Sequence, residues 1–287
     1  AGSVDISTLS GGVTQGVSGT LVAGMLTSTG GIVGPAILRG MANQIGTISG
    51  LTAGGALTIV DSGALALAGV VSAGNAGSVD ITTMSGGLTQ GPSGTLIADT
   101  LTSSRGISGP AILQGTANQI GTITGLTASG MLTVVDSEAL SLAGLVSAGT
   151  GGIVDITVGS GGLSQGATGT LVAGILLSSG GVRGSVSLLG LNNQIANLGS
   201  AAEVPGSLRA TGDIVLNDAV DLDISGDVVA GSGAAASPNA LLSITLPADR
   251  TLTINGEAIA AGGVSVTAGT IVIAQAGPAQ PLVEANG

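Results

Sequence analysis

The sequence predicts an all-β fold, a right-handed parallel β-helix, in which short strands stack turn upon turn along a solenoid. Three observations support this prediction: a 75-residue internal repeat, a supply of apolar residues without any aromatic ring, and 54 glycines among 287 residues. A unit that cannot bury its own apolar face buries it against the next unit, which is how solenoids are stabilised.

The internal repeat is visible by direct alignment. Residues 1–75 and 76–150 are identical at 55 of 75 positions without a gap. A third copy begins near Gly151, takes about seven extra residues around 199–206, and resumes at Leu208. A fixed period of this kind is typical of solenoid architectures.

The repeat also predicts the domain organisation. Residues 232–287 fit the repeated module poorly, so we expect degenerate terminal coils or a cap with a polar tail in that segment. The remainder is predicted to form one β-helix over residues 1–231, built from the three modules 1–75, 76–150 and 151–231.

Differences between the first two copies predict which positions are buried. Buried sites tolerate changes that keep volume and apolarity, and such pairs are Val13 and Leu88, Val22 and Ile97, Ile59 and Val134, and Val70 and Leu145. Positions at which the charge changes freely should face solvent, and these pairs are Gly24 and Asp99, Gly30 and Arg105, Arg39 and Gln114, and Gly63 and Glu138.

Within a module, short strands alternate with glycine-rich corners. Residues 56–61 and 64–68 alternate with a period of two, which is the strand period. Two-residue hairpin signals are missing, which disfavours a meander or an antiparallel sandwich, the competing fold. With roughly 19–25 residues per coil we expect three or four coils per module and about 12–14 in all. Glycine should supply positive φ at corners, and Asn43, Asn118 and Asn193 are predicted to adopt left-handed geometry and bond the backbone there.

Composition excludes several functions. The formal net charge is -11, and phosphate binding needs clustered cations while base stacking needs aromatics, so we expect no nucleic-acid partner. The richest apolar stretch, residues 63–74, is shorter than the roughly 20 residues needed to span a bilayer, so we expect no membrane insertion. The chain begins at Ala1 without a visible signal peptide, and we interpret it as a mature fragment or an excised segment.

Several segments resemble the repeats of filamentous haemagglutinin-like secreted exoproteins of Gram-negative bacteria. They are Gly-Gly-Val-Thr-Gln at 11–15, Thr-Leu-Val-Ala-Gly-Met-Leu-Thr at 20–27, Ala-Asn-Gln-Ile-Gly-Thr-Ile at 42–48, Ala-Leu-Thr-Ile-Val-Asp-Ser at 56–62 and Ala-Leu-Ala-Leu-Ala-Gly at 64–69. The resemblance covers about residues 1–231. It implies a right-handed β-helix, export to the cell surface by two-partner secretion or as an autotransporter passenger, and a role in adhesion or biofilm formation.

Residues able to carry chemistry are scarce. The chain has no His, Cys or Lys, so the usual nucleophilic triads and pairs cannot form, and we predict no catalytic residue, no cofactor and no enzyme activity. The one local concentration of charge is the acidic segment with Asp213, Asp218, Asp221, Asp223 and Asp227. We predict a solvated strand face there, with no metal site, although weak calcium binding at 213–227 stays open.

Three sets of polar residues recur once per module. For Asp5, Asp80 and Asp155, and for Asp61, Asp136 and Asp218, the spacing predicts turn or corner roles several coils apart. The third set pairs the Asn residues with Gln15, Gln90 and Gln165, and predicts internal polar contacts or turn caps. Threonine spacing is irregular, which disfavours an ice-binding array.

Two functions are therefore expected for an extracellular or cell-surface protein. The first is a structural stalk or adhesin segment whose partners are host or abiotic surfaces, glycans or neighbouring cells. The second is a self-assembling subunit of an extracellular fibre, which would associate end to end through exposed strand edges. A carbohydrate-active β-helix enzyme is the remaining alternative, and loss of polysaccharide cleavage on changing the 213–227 carboxylates would reveal it.

Overall fold

The computed structural model describes residues 2–200, 206–274 and 282–285. Its described strands stack as a parallel β-solenoid of about 12 turns, and the described part of the chain contains no helix. The predicted solenoid is therefore confirmed, and the antiparallel sandwich is wrong. The handedness and the module bounds at 75, 150 and 231 stay predictions.

The chain divides into two compact units, residues 1–138 and 139–287. The strands of the first unit are β1 (Ser3–Asp5), β2 (Val13–Gln15), β3 (Val22–Thr27), β4 (Ala36–Leu38), β5 (Gln44–Thr52), β6 (Leu57–Asp61), β7 (Leu65–Ser72), β8 (Ser78–Thr83), β9 (Leu88–Gln90), β10 (Thr95–Thr102), β11 (Ala111–Leu113), β12 (Gln119–Thr127) and β13 (Leu132–Asp136).

The strands of the second unit are β14 (Leu140–Val158), β15 (Leu163–Gln165), β16 (Thr170–Leu177), β17 (Val186–Leu188), β18 (Gln194–Leu198), β19 (Leu208–Ala210), β20 (Ile214–Asn217), β21 (Leu222–Ile224), β22 (Val228–Ala230), β23 (Leu241–Thr245), β24 (Thr251–Ile254), β25 (Glu257–Ala260), β26 (Gly263–Thr267), β27 (Thr270–Ile273) and β28 (Leu282–Ala285).

In the first unit the strands form columns of parallel pairs. One column contains β2, β4, β6 and β8, in which Thr14, Ile37, Thr58 and Asp80 occupy successive turns. Another contains β7, β9, β11 and β13, in which Ala66, Thr89, Ile112 and Thr133 occupy successive turns. Longer strands such as β5 and β10 bend around a corner and join two columns. A turn takes 19 residues from Ile48 to Leu67 and 25 from Val70 to Thr95, as expected.

This register shows that the 75-residue repeat does not correspond to a whole number of turns. Three steps up the first column lead from Thr14 to Asp80, yet the copy of Thr14 in the second module is Thr89, nine residues further on. Thr89 lies in the other column, paired with Ala66. The repeat therefore spans between three and four turns, and Thr14 and Thr89, which are equivalent in the two modules, lie in different columns of this unit.

In the second unit three columns are distinct. One runs through β15, β17, β20, β23 and β26, a second through β16, β18, β21, β24 and β27, and a third through β19, β22, β25 and β28. The step across the third column is 28 residues from Val182 to Ala210, whereas the matching step in the first unit is 21, from Ile32 to Ala53. The insertion is therefore seven residues, as expected.

The base of that insertion is closed by an antiparallel bridge. Ser200 and Gly206 exchange two backbone hydrogen bonds of 2.8 and 3.0 Å. Residues 201–205 and most of the predicted polar tail, at 275–281 and 286–287, lie outside the described residues. The tail also contains β28, which pairs with β25.

In most strands alternate residues point into a core of Leu, Ile, Val and Ala, whereas all five residues of β6 are buried and all four of β27 are exposed. The predicted burial pattern is partly confirmed. Ile59, Val134 and Leu88 are buried, but Val22, Val70 and Leu145 are 54%, 42% and 43% exposed, so their predicted burial is wrong. Branched aliphatic residues favour the strand backbone on either face of a sheet, which explains why apolarity persists at these outward positions. The charged or polar members Asp99, Arg105, Gln114 and Glu138 face solvent, as expected.

Candidate functional site: a recurring buried polar cluster

One Gln, one Asn and one Asp form a polar cluster that occurs three times and is buried except at Gln15, which is half-buried. The two copies of the first unit are Gln15, Asn43 and Asp61, and Gln90, Asn118 and Asp136; the copy of the second unit is Gln165, Asn193 and Asp218. All three Asn residues are fully buried. Burial of an amide is tolerated when its hydrogen-bonding capacity is used.

Asn118 shows how the capacity is used. Its Oδ1 accepts from Gln90 Nε2 at 2.9 Å and from the backbone N–H of Leu96 at 2.7 Å. Its Nδ2 donates to Gln90 Oε1 at 3.0 Å and to the carbonyl of Val135 at 2.9 Å. An amide has two donor and two acceptor positions, so the side chain of Asn118 is fully satisfied. It connects three successive passages of the chain.

Gln90 also bonds the backbone at Gly115, where two segments of the chain lie close together. Its Oε1 also accepts from the N–H of Gly115 at 3.0 Å. A Cβ on Gly115 would lie 2.3 Å from the carbonyl oxygen of Gly94 and 2.6 Å from Asn118 Oδ1, so only glycine fits. The same Gln and Gly arrangement occurs between Gln15 and Gly40.

The Asp of each cluster accepts a backbone N–H from the start of the strand that follows the Asn. Asp61 accepts from Ile45 at 2.6 Å, Asp136 from Ile120 at 3.0 Å and Asp218 from Ile195 at 3.2 Å. Burial raises the pKa of Asp61 and raises the pKa of both Asp136 and Asp218 to about 7, against the lowering effect of these N–H bonds. Asp136 Oδ2 is buried without a partner among the described residues.

These contacts confirm the predicted internal polar role of the Gln and Asn residues and correct their predicted backbone geometry. No described residue other than glycine has a positive φ, so the expected left-handed conformation of Asn43, Asn118 and Asn193 is wrong. Their side chains bond the backbone from ordinary conformations. Positive φ is taken up by glycine, as expected, for example at Gly31, Gly106 and Gly181.

The other recurring Asp set caps outer turns. Asp5 Oδ1 accepts from the N–H of Thr29 at 2.9 Å, and Asp80 and Asp155 accept equivalently from Ser104 and Ser179. The same carboxylates accept from the Thr29, Ser104 and Ser179 hydroxyls. The predicted turn role of this set is confirmed.

The acidic segment does not form one site. Asp213 accepts from the N–H of Leu241, Asp221 accepts from the N–H of Thr251, and both of these bonds measure 2.8 Å. Asp223 accepts from the Asn255 amide, and Asp227 pairs with Arg209 at 2.8 Å. Burial raises the pKa of Asp223, and the Asn255 hydrogen bond opposes this.

Asp221 and Asp223 lie outside the core on one strand face, as expected. The assignment of Asp218 to that face is wrong because it is buried in the polar cluster. Over the described ranges, no group of three or more His, Cys, Asp or Glu side chains is arranged to hold a metal ion. The prediction of no metal, cofactor or catalytic residue stays a prediction.

Sequence reasoning missed the convergence of Gln, Asn and Asp. The available signal was the constant spacing of 28 residues between Gln and Asn in all three copies. That spacing equals one turn plus the width of a corner. Its meaning can be recognised only once the pairing register is known. This fold places the chain in the class of parallel β-solenoid proteins.

Comparison with family models, curated proteins and solved structures found no match for the chain. The resemblance to filamentous haemagglutinin-like exoproteins therefore stays a prediction. No helix in the described part of the chain is long and apolar enough to cross a membrane.

Proposed function

We propose that the chain is a structural stalk or adhesin segment of a large secreted bacterial surface protein and has no catalytic activity. The observation that supports this proposal is that buried polar side chains are engaged in holding turns together. The amide of Asn118 uses all of its donors and acceptors within the fold. Side chains used in this way stabilise a scaffold and are not available to a substrate.

Composition supports the same proposal. Small aliphatic residues build each turn of the solenoid with little mass, and the net charge of -11 favours solubility and lowers non-specific association. The proposed setting is the cell exterior, and the proposed partners are host or abiotic surfaces, glycans or neighbouring cells.

Attachment of coated beads tests the adhesive role. Beads carrying the purified chain are offered to glass, to immobilised glycans and to bacterial cells, beside beads carrying the same chain after heat denaturation. We expect saturable, fold-dependent attachment to at least one of these. Equal retention of native and denatured beads on every surface would contradict the adhesive role.

Polysaccharide digestion tests the absence of catalysis. The purified chain is incubated with neutral and acidic polysaccharides, and released reducing ends are measured. We expect none above background. Product release that disappears in an Asp221→Asn, Asp223→Asn double variant would overturn the non-enzymatic assignment.

A second function, a self-assembling fibre subunit, is favoured by one observation in the second unit. Strand β27 pairs with β24 on one side, and Ile271 and Ile273 continue the buried Leu252 and Ile254 columns although they are 43% and 59% exposed. An exposed apolar strand edge is a template for pairing with another chain.

Negative-stain microscopy at rising concentration tests self-assembly. Filaments that disappear in an Ile271→Asp, Ile273→Asp variant, and persist in the outward-facing Val272→Asp control, would support the fibre subunit. Discrete particles at every concentration would support the stalk.

A further inference from the structure

A groove recurs at one corner of each module. In the first unit, two such grooves have volumes of about 270 Å³ each, one beside Gly31 and Ala53 and the other beside Gly106 and Ala128. The corresponding groove of the second unit, beside Gly181 and Ala210, has a volume of about 390 Å³. The three grooves occupy the same position in their modules but differ in volume.

The larger groove contains two of the five arginines of the chain. Arg183 and Arg209 both line it. They lie on adjacent turns, since Val182 and Ala210 are bridge partners and the N–H of Val182 donates to the Arg209 carbonyl at 2.9 Å. Because Val182 and Ala210 are buried, the side chains that flank them face outward. The groove therefore has an apolar floor with a cation on each side.

The two arginines differ in their partners. Arg209 donates to Asp227 and to the Ser207 hydroxyl, at 2.8 and 2.6 Å. Arg183 forms no side-chain hydrogen bond or ion pair with any other described residue. The Asp227 carboxylate fixes the Arg209 guanidinium in place, and the charge of Arg183 is left uncompensated in a chain that is strongly acidic elsewhere.

A third wall, which the smaller grooves lack, adds further donors. Residues 232–235 line the larger groove in an exposed turn. The N–H groups of Gly233, Ala234 and Ala235 have no acceptor among the described residues. Consecutive free N–H groups in a turn form a site that favours anions. A planar guanidinium binds carboxylate, sulfate and phosphate oxygens through paired hydrogen bonds.

We propose that this groove is an anion-binding site that takes one oxyanion group of a small ligand, with Arg183 as the principal contact and Arg209 as a second. A volume of about 390 Å³ has room for an acidic sugar as well as for a free phosphate ion. Both ligands share the chemistry of an oxyanion held by guanidinium and amide donors. The inference does not depend on the stalk or adhesin role proposed above.

Arginine labelling provides a direct test because the chain has only five arginines. In a chain labelled with ¹⁵N-arginine, each Nε signal is assigned by substituting one arginine at a time. Sodium glucuronate, sodium phosphate and uncharged glucose are titrated separately at constant ionic strength. We expect saturable shifts of Arg183 and Arg209 with at least one oxyanion, and none with glucose. Tighter binding of glucuronate identifies a sugar acid, and tighter binding of phosphate identifies a free ion.

Matched substitutions separate a built site from general charge attraction. Arg183→Gln should weaken oxyanion binding, measured on Arg209, by about tenfold, the usual loss for one charged hydrogen bond. Arg105→Gln, in the smaller groove beside Gly106, should leave it unchanged. The proposal would be overturned if all five arginine signals shifted equally, if the two substitutions had equal effects on binding, or if glucose also caused the shifts. Both arginines are exposed, so neither substitution should unfold the chain.

Discussion

The turns that contain a buried polar cluster contrast with those that follow Asp218. Up to Asp218, Asn43, Asn118 and Asn193 are fully buried and bond neighbouring backbone groups. Beyond it, no polar or charged side chain is buried in the described ranges. There the backbone N–H groups of Leu241 and Thr251 are capped by Asp213 and Asp221 near the surface.

The contrast shows that buried and exposed corners of the solenoid satisfy their backbone N–H groups in different ways. The later turns have an apolar interior, and β20, β23 and β26 pair there in continuous register. Backbone donors at a corner still need an acceptor, because an unpaired buried N–H costs about 1–3 kcal/mol. Where the corner is exposed a carboxylate near the surface supplies the acceptor, and where it is buried a cluster of Gln, Asn and Asp does. Buried clusters should therefore dominate the response to mutation and pH.

Raising the pH should produce the largest effect. Burial raises the pKa of Asp136 and Asp218 from 3.8 to about 7, so the folded chain holds more protons than the unfolded chain between these values. Their stabilising contribution is present below pH 4 and is lost as the pH rises through 7. One pKa unit corresponds to about 1.4 kcal/mol, so each group can contribute up to about 4 kcal/mol. Urea denaturation from pH 4 to 8 measures the loss.

A matched variant assigns this pH dependence. Asp136→Asn keeps an acceptor for the N–H of Ile120 without the charge, and should reduce the slope of stability against pH. Gln114→Ala, an exposed change that removes no titratable group, should leave the slope unchanged. Stability that rises between pH 5 and 8 would contradict the raised pKa of the buried carboxyl groups.

Removing a cluster amide should have the next largest effect. Asn118→Ala deletes four hydrogen bonds, which removes the acceptor of the Leu96 N–H and of Gln90 Nε2 and a donor to the Val135 carbonyl. We expect a loss of about 3–5 kcal/mol in the free energy of unfolding. Asn75→Thr, an exposed change that copies Thr150 of the next module, serves as the control and should change stability by less than about 0.5 kcal/mol.

Filling the close approach beside the cluster should cost less. A Cβ on Gly115 would overlap the Gly94 carbonyl, whereas a Cβ on Gly91 would have no atom within 4 Å. Gly115→Ala should therefore destabilise the chain by about 1–3 kcal/mol, and Gly91→Ala should be neutral or slightly stabilising. Equal thermal midpoints of the two variants would show that the Gln90 and Gly115 contact is loose.

Substitution of outward apolar residues should have the smallest effect. Val22 is 54% exposed, so Val22→Ala should change stability by within about 0.5 kcal/mol. Ile59 is fully buried, so even the smaller deletion Ile59→Val should cost about 0.5–1.5 kcal/mol. The urea midpoints of the two variants, measured side by side, decide whether a position that stays apolar in both modules is necessarily buried.

The sequence predicts the fold better than the arrangement of its polar residues. The repeat, the glycine corners and the alternating strands such as β6 were enough to predict a parallel solenoid. The phase of the repeat could not be predicted, because it depends on turns of 19 to 25 residues whose lengths only the pairing register defines. For the same reason the sequence places Asp218 both in the acidic segment and in the recurring set with Asp61 and Asp136, and only the register shows that it belongs to the cluster of Gln165 and Asn193.

Engineered disulfides test the stacking register most directly, because the chain has no cysteine of its own. Ala66 and Thr89 are parallel neighbours whose side chains face outward, and Ile37 lies in the other column. A disulfide needs Cα atoms about 4.4–6.8 Å apart. Stacking in this register predicts rapid cross-linking of Ala66→Cys with Thr89→Cys and none of Ile37→Cys with Thr89→Cys. The opposite pattern would contradict both the register and the placement of Thr14 and Thr89 in different columns.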